Sequence, residues 1–214
     1  MAAFDFKKEY KDLYLPQKPS IINVPKVRFI MVNGKGNPNT STAYKEAVEV
    51  LYGLSYAIKM AKKGDTRPEG YFDYVVPPLE GLWWFEGSAS GRSVNAIGRK
   101  DDFSWVVMIR QPEFVTQEVF ERAKVTLAKK KPGLGTSLAR LQDFEEGLCA
   151  QIMHIGPYDN EEPTIAALEE FIETNGYRTE MSGLRQHHEI YLNDPRKTAP
   201  EKLRTVIRHP IVGK

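Results

Sequence analysis

The 214 residues of this chain suffice for one large domain or two small ones around a sizeable core. Apolar residues make up 41%, charged residues 27%, and the formal net charge is +2. This ordinary balance, without a basic recognition helix or zinc-finger spacing, gives no reason to expect nucleic acid as a partner. The single cysteine, Cys149, excludes an internal disulfide, and its apolar neighbours indicate a buried, inert thiol.

An N-terminal arm over residues 1–26 is predicted to contain an edge strand. Prolines flank Ile21 and Ile22, and a central strand does not tolerate proline. The arm lacks the long apolar segment of a signal peptide or membrane span, so we expect a cytoplasmic protein without a membrane partner. Residues 27–32 alternate as a second strand and begin the main domain, residues 27–214.

Helices are predicted where apolar residues recur three and four positions apart. The first runs from a cap at Thr40 or Ser41 to about Lys63, and a second covers residues 116–131. A shorter helical pattern follows at Leu138, Leu141 and Phe144, and another helix is predicted over 163–174. Thr198 and Glu201 form a capping box, which predicts a last helix that ends before Pro210.

Strands are predicted where β-branched and aromatic residues cluster between turn signals. Residues 87–102 are polar and turn-rich, and they predict a loop. The predicted strands cover the segment with Trp83 and Trp84 and residues 103–110, 149–155, 177–181 and 187–192.

The order of these elements predicts a duplication. Strand, glycine turn, helix, strand, strand, proline stop and helix occur twice, over about 27–131 and about 148–212. The best register matches Val106 with Glu189. Two such halves predict an α+β fold with helices on one side of the sheets and a cleft where the halves meet, which is a common place for a ligand.

The strand 187–192 carries the most informative side chains. Alternation places His187, Glu189 and Tyr191 on one face and His188 with two aliphatic residues on the other. Burying an unpaired carboxylate among aromatic rings costs on the order of several kcal/mol, so the presence of Glu189 on this face needs an explanation. It is either a surface residue on a wet face or the floor of a pocket that binds a cationic or hydrogen-bond-donating guest.

Several motifs together resemble the GyrI-like (SbmC) small-molecule-binding superfamily, whose module also forms the effector-binding domains of the BmrR and Rob regulators. The resemblance rests on His154-x-Gly156-Pro157-Tyr158, on residues 188–195 with the sequence HEIYLNDP, and on Lys11-Asp12-Leu13-Tyr14. It implies duplicated βαββ (SHS2-type) halves, a pseudo-symmetric curved antiparallel sheet and a central aromatic pocket. Glu189 matches the buried glutamate that binds cationic lipophilic compounds in the BmrR-type domains.

The resemblance and the residue types together nominate a set of site residues. Trp83 and Trp84 are candidate cage walls, since stacking and cation–π contacts contribute about 0.5–2 kcal/mol each; ordinary core packing is the alternative. Glu189 and Tyr191 are the candidate catalytic pair, as base and hydrogen-bond donor. The further candidate ligand-binding residues are Tyr56, Tyr71, Met108, His154, Tyr158 and His187.

The expected function is capture of lipophilic aromatic xenobiotics, including cationic ones, which protects the cell from toxins. The alternative is a hydrolase that opens the cyclopropane ring of DNA-alkylating toxins, as one stand-alone subfamily of similar proteins does, so enzymatic activity stays open. No HExxH or similar spacing predicts a metal, and we expect no cofactor. The oligomeric state stays open as well.

Overall fold

The computed structural model describes residues 3–62, 67–86 and 99–214. Helices and strands alternate through these ranges, with three short 3₁₀ turns between them. The helices are α1 (Phe6–Glu9), α2 (Lys11–Tyr14), α3 (Thr42–Met60), α4 (Gln117–Lys130) and α5 (Glu162–Thr174). The strands are β1 (Ser20–Lys35), β2 (Leu79–Phe85), β3 (Phe103–Arg110), β4 (Arg140–Ile155), β5 (Tyr177–Thr179), β6 (His187–Tyr191) and β7 (Arg204–Gly213).

Six of the strands close into a barrel-like ring. Their order is β4-β1-β3-β2-β6-β7, and β7 pairs with β4 to complete the ring. The short strand β5 pairs with the end of β7. Each of these strand pairs is antiparallel, so the predicted α+β class with a curved antiparallel sheet is confirmed.

Strand β1 joins two segments that the sequence predicted separately. It pairs with β4 from Ser20 to Met31 and with β3 from Phe29 onwards. Pro25 lies inside it, between paired residues on either side, at a point where the described residues pair on the β4 side only. Proline is tolerated there because no second strand needs its missing N–H group.

Helices α3 and α4 form as predicted and pack against each other over the sheet. Ser41 caps α3 by accepting a hydrogen bond from the Tyr44 N–H group, and Thr116 caps α4 in the same way. A Cβ atom at Gly53 would lie 2.8 Å from a Leu127 methyl carbon, so glycine permits this close approach. Together the helices cover a core that includes Ile30, Val107 and Ile109. None of the described helices is both long and apolar enough to cross a bilayer.

Two local predictions are wrong. In the pattern Leu138, Leu141 and Phe144, the last two residues lie at the start of β4 and Leu138 lies in the turn before it, so the pattern does not form a helix. The last predicted helix is a 3₁₀ turn followed by β7, because the β-branched run after Leu203 pairs with two neighbouring strands. Residues 71–76 contain one isolated bridge, Tyr74 with Phe4. Most of the predicted 87–102 loop, residues 87–98, lies outside the described residues.

The second face of β6 is not wholly aliphatic, because it combines apolar Ile190 with a charged network around His188. His188 lies between two carboxylates, with Nδ1 3.1 Å from Glu146 and Nε2 3.0 Å from Glu80. Arg208 donates to Glu146 at 2.9 Å and to the Leu13 carbonyl at 2.7 Å. These four side chains, Glu80, Glu146, His188 and Arg208, form a buried charged cluster that holds α2 against the ring.

Charge pairing inside the cluster outweighs the cost of burial. Burial opposes protonation of His188, but Glu146 and Glu80 raise its pKa to about 9. Burial also opposes ionisation of Glu146, but His188 and Arg208 lower its pKa to about 2. The cluster therefore holds charged partners at neutral pH, each with a hydrogen-bonded counter-charge.

Candidate functional site

A cavity of about 1210 Å³ opens between α3, β2, β6 and the beginning of α5. That volume is large enough for a drug-sized molecule, since small-molecule sites commonly measure about 300–1,000 Å³. Seven aromatic side chains contribute to its described wall: Tyr44, Tyr52, Tyr56, Trp83, Phe103, Tyr158 and Tyr191.

Strand alternation places the predicted face of β6 on this cavity. His187, Glu189 and Tyr191 all line it. Across the β2–β6 pair, Gly81 lies opposite Glu189. A Cβ atom at Gly81 would lie 2.6 Å from the Trp83 Nε1 atom, so glycine leaves room for the indole ring beside the carboxylate.

The adjacent tryptophans separate onto the two faces of β2. Trp83 is 4% exposed, lines the cavity and donates its Nε1–H to the Tyr191 oxygen at 3.1 Å. That oxygen accepts from Trp83, and the Tyr191 hydroxyl also hydrogen-bonds to Glu189, so its own hydrogen is directed at the carboxylate in the cavity. Trp84 packs on the opposite face, against the cluster that contains Leu82. Strand alternation predicted opposite faces for the two rings, and of the two only Trp83 lines the described cavity wall.

Glu161 is a second carboxyl group in the cavity that sequence reasoning missed. It directly precedes α5, is 6% exposed, and its Oε1 atom has no hydrogen-bond partner among the described residues. Burial and the nearby charge of Glu189 raise its pKa well above the ordinary value, so both effects favour its protonated form. In the sequence it sits in Asp-Asn-Glu-Glu-Pro, which is typical of a solvated helix start.

Glu161, Glu189 and His187 converge. Their side chains offer three atoms that all lie within 4.8 Å of one another, and His187 Nε2 is 3.1 Å from Glu189 Oε1. Residue spacing in the sequence did not predict that these three groups could meet around a cation, because Glu161 is distant in the chain from His187 and Glu189. In the structure the His187–Glu189 contact is a hydrogen bond, so a proton joins these two groups.

Three tyrosine hydroxyls lie close enough to Glu189 to sense its charge. Burial, followed by the charge of Glu189, raises the pKa of Tyr44 and Tyr191, and it raises that of Tyr158 to about 12. All three hydroxyls therefore stay protonated at neutral pH. Tyr158 and Tyr191 also meet edge to face, with ring centroids 5.4 Å apart.

The remaining predicted residues divide between the rim and the surrounding structure. Tyr56 lies at the cavity rim and is 52% exposed. Tyr71 packs on Phe114, and Met108 is buried on the face opposite the cavity; neither lines the described wall. The His154 ring lies within hydrogen-bonding distance of Thr164 and the Pro157 carbonyl, so it holds the turn that presents Tyr158 rather than lining the cavity.

Comparison with known proteins places this geometry in context. A model of the GyrI-like small molecule binding domain matches residues 17–212. The solved structure of an uncharacterised conserved protein from Listeria innocua is 48% identical, with a TM-score of 0.90 over 98% of this chain and 100% of that chain. A structure called a hydrolase from Listeria innocua is 47% identical, with a TM-score of 0.87 over 98% of this chain and 100% of that chain.

More distant similarity is limited to the fold. The EcmrR C-terminal domain is 11% identical, with a TM-score of 0.52 over 92% of this chain and 98% of that domain. A search of the curated proteins found no match.

Proposed function

Since this chain belongs to the GyrI-like family of small-molecule-binding proteins, we propose that its cavity binds a flat, lipophilic aromatic compound and hydrolyses it. The observation that carries the proposal is the pair Glu161 and Glu189 inside an aromatic wall, beside His187. Aromatic rings hold the flat compound, and the two carboxyl groups supply a base and an acid. The two Listeria innocua structures extend over nearly the same length, and one of them is called a hydrolase.

The substrate class we propose is a cyclopropane fused to an enone-like aromatic system. Glu189 takes a proton from water as the water oxygen bonds to the outer cyclopropane carbon. The carbon–carbon bond breaks, and its electron pair moves through the ring system to the carbonyl oxygen. That oxygen gains a proton, so the product contains one added water. Tyr191, Tyr158 or neutral Glu161 donates to the oxygen, and such donors contribute about 10²–10³-fold in rate.

Binding of cationic aromatic compounds without turnover is the second candidate. It is favoured by the two carboxyl groups among stacked rings, because a cation would restore the charged form of Glu161 and gain cation–π contacts. In this case the protein would sequester a toxin rather than destroy it.

We also infer that the chain contains duplicated halves. Apart from the short strand β5 between α5 and β6, the units β1–α3–β2–β3 and β4–α5–β6–β7 have the same order, and β1 pairs with β4 while β2 pairs with β6. In that arrangement β6 corresponds to β2. This differs from the register that matched Val106 with Glu189.

The deciding experiment incubates the protein with two sets of probes, cyclopropane-bearing alkylators and aromatic cations. Mass spectrometry then follows bound and free compound over time. A gain of one water on an alkylator, with catalytic turnover, supports hydrolysis. Tight binding of cations with unchanged mass, and no consumption of any alkylator, would replace hydrolysis with capture.

A further inference from the structure

A line of hydrogen-bonded titratable side chains runs from the cavity to the outside of α5. His187 Nε2 is 3.1 Å from Glu189 Oε1 at the cavity end. His187 Nδ1 is 2.8 Å from His209 Nε2, and His209 Nδ1 is 2.6 Å from Glu169 Oε1. Both rings are buried, with 1% exposure, whereas the Glu169 side chain is 35% exposed and outside the cavity lining.

The hydrogen bonds constrain where the protons lie. Burial lowers the pKa of His209, so its ring is neutral and carries one proton. Burial opposes ionisation of Glu169, but the hydrogen bonds from His209 and Thr179 lower its pKa. With Glu169 ionised, His209 donates from Nδ1 and accepts from His187 at Nε2. The His187 Nε2 atom is then an acceptor that faces a carboxyl oxygen of Glu189.

A ring with a single proton can donate from only one nitrogen, so two such rings would supply two protons for the three contacts. The contact between His187 and Glu189 therefore requires one more proton, which lies on Glu189 or on His187 Nε2. If it lies on Glu189, moving each proton one step outward ionises Glu189 and protonates Glu169, while every heavy atom stays in place. At the Glu189 end, this line is faced by Glu161 from the start of α5 and by the hydroxyls of Tyr44, Tyr158 and Tyr191. Thr179 from β5 faces its outer end, and Glu146 from β4 acts at longer range.

We propose that His187, His209 and Glu169 form a proton path through which Glu189 exchanges its proton with solvent while substrate fills the cavity. The path rests on the proposed hydrolysis, in which Glu189 removes one proton from water. His187 is next to the reacting groups, whereas His209 and Glu169 act through it and touch no substrate.

The proton balance of ring opening suits this path. An outward shift leaves both rings protonated on Nε2, and an inward shift returns both protons to Nδ1. The rings need no rotation as long as each outward proton is followed by an inward one. Hydrolysis satisfies this condition, because Glu189 removes one proton from the attacking water and the opened product requires one on its oxygen.

The kinetic test uses Glu169→Gln and His209→Gln, with Glu170→Gln as the matched control on the same helix. A glutamine at 169 can still accept from the His209 N–H group but cannot take up a proton. We expect both path variants to lose at least about tenfold in kcat in dilute buffer, with KM unchanged. Small buffer molecules, which can enter the cavity as proton carriers, should restore much of that loss, whereas wild type and Glu170→Gln should show no dependence on buffer concentration. A loss that buffer never restores, or no loss at all, would overturn the path.

A second measurement is independent of turnover. Nitrogen NMR of ¹⁵N-histidine-labelled protein reports which ring nitrogen carries the proton. We expect His187 and His209 to be neutral with the same tautomer, and Glu169→Gln to fix both protons on Nδ1. Opposite tautomers, or a doubly protonated His209, would break the line and overturn the path. Absence of turnover in the wild type would count against hydrolysis alone, and the tautomers would still decide the path.

Discussion

Trp83 and Trp84 are adjacent in β2 but have different surroundings, because their side chains lie on opposite faces of the strand. The Trp83 ring lies in both the core and the cavity wall, so replacing it with alanine would change stability and binding together. Trp83→Phe keeps an aromatic ring but removes the N–H group that donates to Tyr191. We expect this variant to bind an aromatic ligand about five- to tenfold more weakly, as the loss of one hydrogen bond implies. Fluorescence titration with Trp84→Phe as the control, which should bind normally, checks this; equal losses in both variants would remove Trp83 from the site.

Glu189 is the residue on which the chemistry depends. Glutamine has almost the same shape but cannot accept a proton, so Glu189→Gln should lower kcat by at least about 100-fold while a neutral substrate still binds. Single-turnover kinetics and a binding titration separate the two quantities. Glu173→Gln, on the exposed side of α5, serves as the control and should keep full activity. Wild-type rates in Glu189→Gln would limit this residue to binding.

At the scale of elements, the start of α5 places the Glu161 carboxyl group in the aromatic wall of the cavity. This placement lowers the free energy of unfolding by an amount that depends on pH. Because the folded state raises the pKa of Glu161, folding retains a proton that the unfolded chain releases. Stability should therefore fall as pH rises above the ordinary glutamate pKa. Glu161→Gln removes this dependence, so its melting temperature should exceed that of the wild type by about 3 °C or more at alkaline pH and converge with it in acid. Melting curves across the pH range test this, and a constant difference would contradict it.

The elements that the sequence predicted correctly are those whose signals are local. The α4 helix has its Thr116 cap and apolar spacing within one segment, and β3 is a continuous apolar run. The start of β4 mixes charges with apolar residues, and the Thr198 capping box is a local signal that pairing of β7 overrides. Alternation within β6 located the cavity face. Glu161, Glu169 and His209 could not be assigned, because only the closed ring brings these distant residues to β6.

At the scale of the whole molecule, the buried charged cluster makes stability depend on protonated His188. The pKa of His188 is about 9 in the folded state and 6.5 in the unfolded chain. Its contribution to the free energy of unfolding is therefore complete below pH 6.5 and disappears as the pH rises through about 9. We expect the wild type to lose about 3 kcal/mol of unfolding free energy across this range. Denaturant titrations of the wild type and His188→Gln check this. The variant should be less stable at neutral pH, and the gap between the two proteins should narrow as pH rises; a constant gap would refute the assignment.

The placement of His187 and His188 on opposite faces of one strand also affects how such a protein can diversify. Substitutions at positions 187, 189 and 191 change the cavity surface that contacts a ligand. Substitutions at position 188 instead disturb the buried charged cluster that holds α2 against the ring. Related proteins can therefore evolve a different ligand specificity through alternate positions of β6 while the fold stays unchanged. An inserted or deleted residue within β6 would exchange the two faces and disrupt both roles at once.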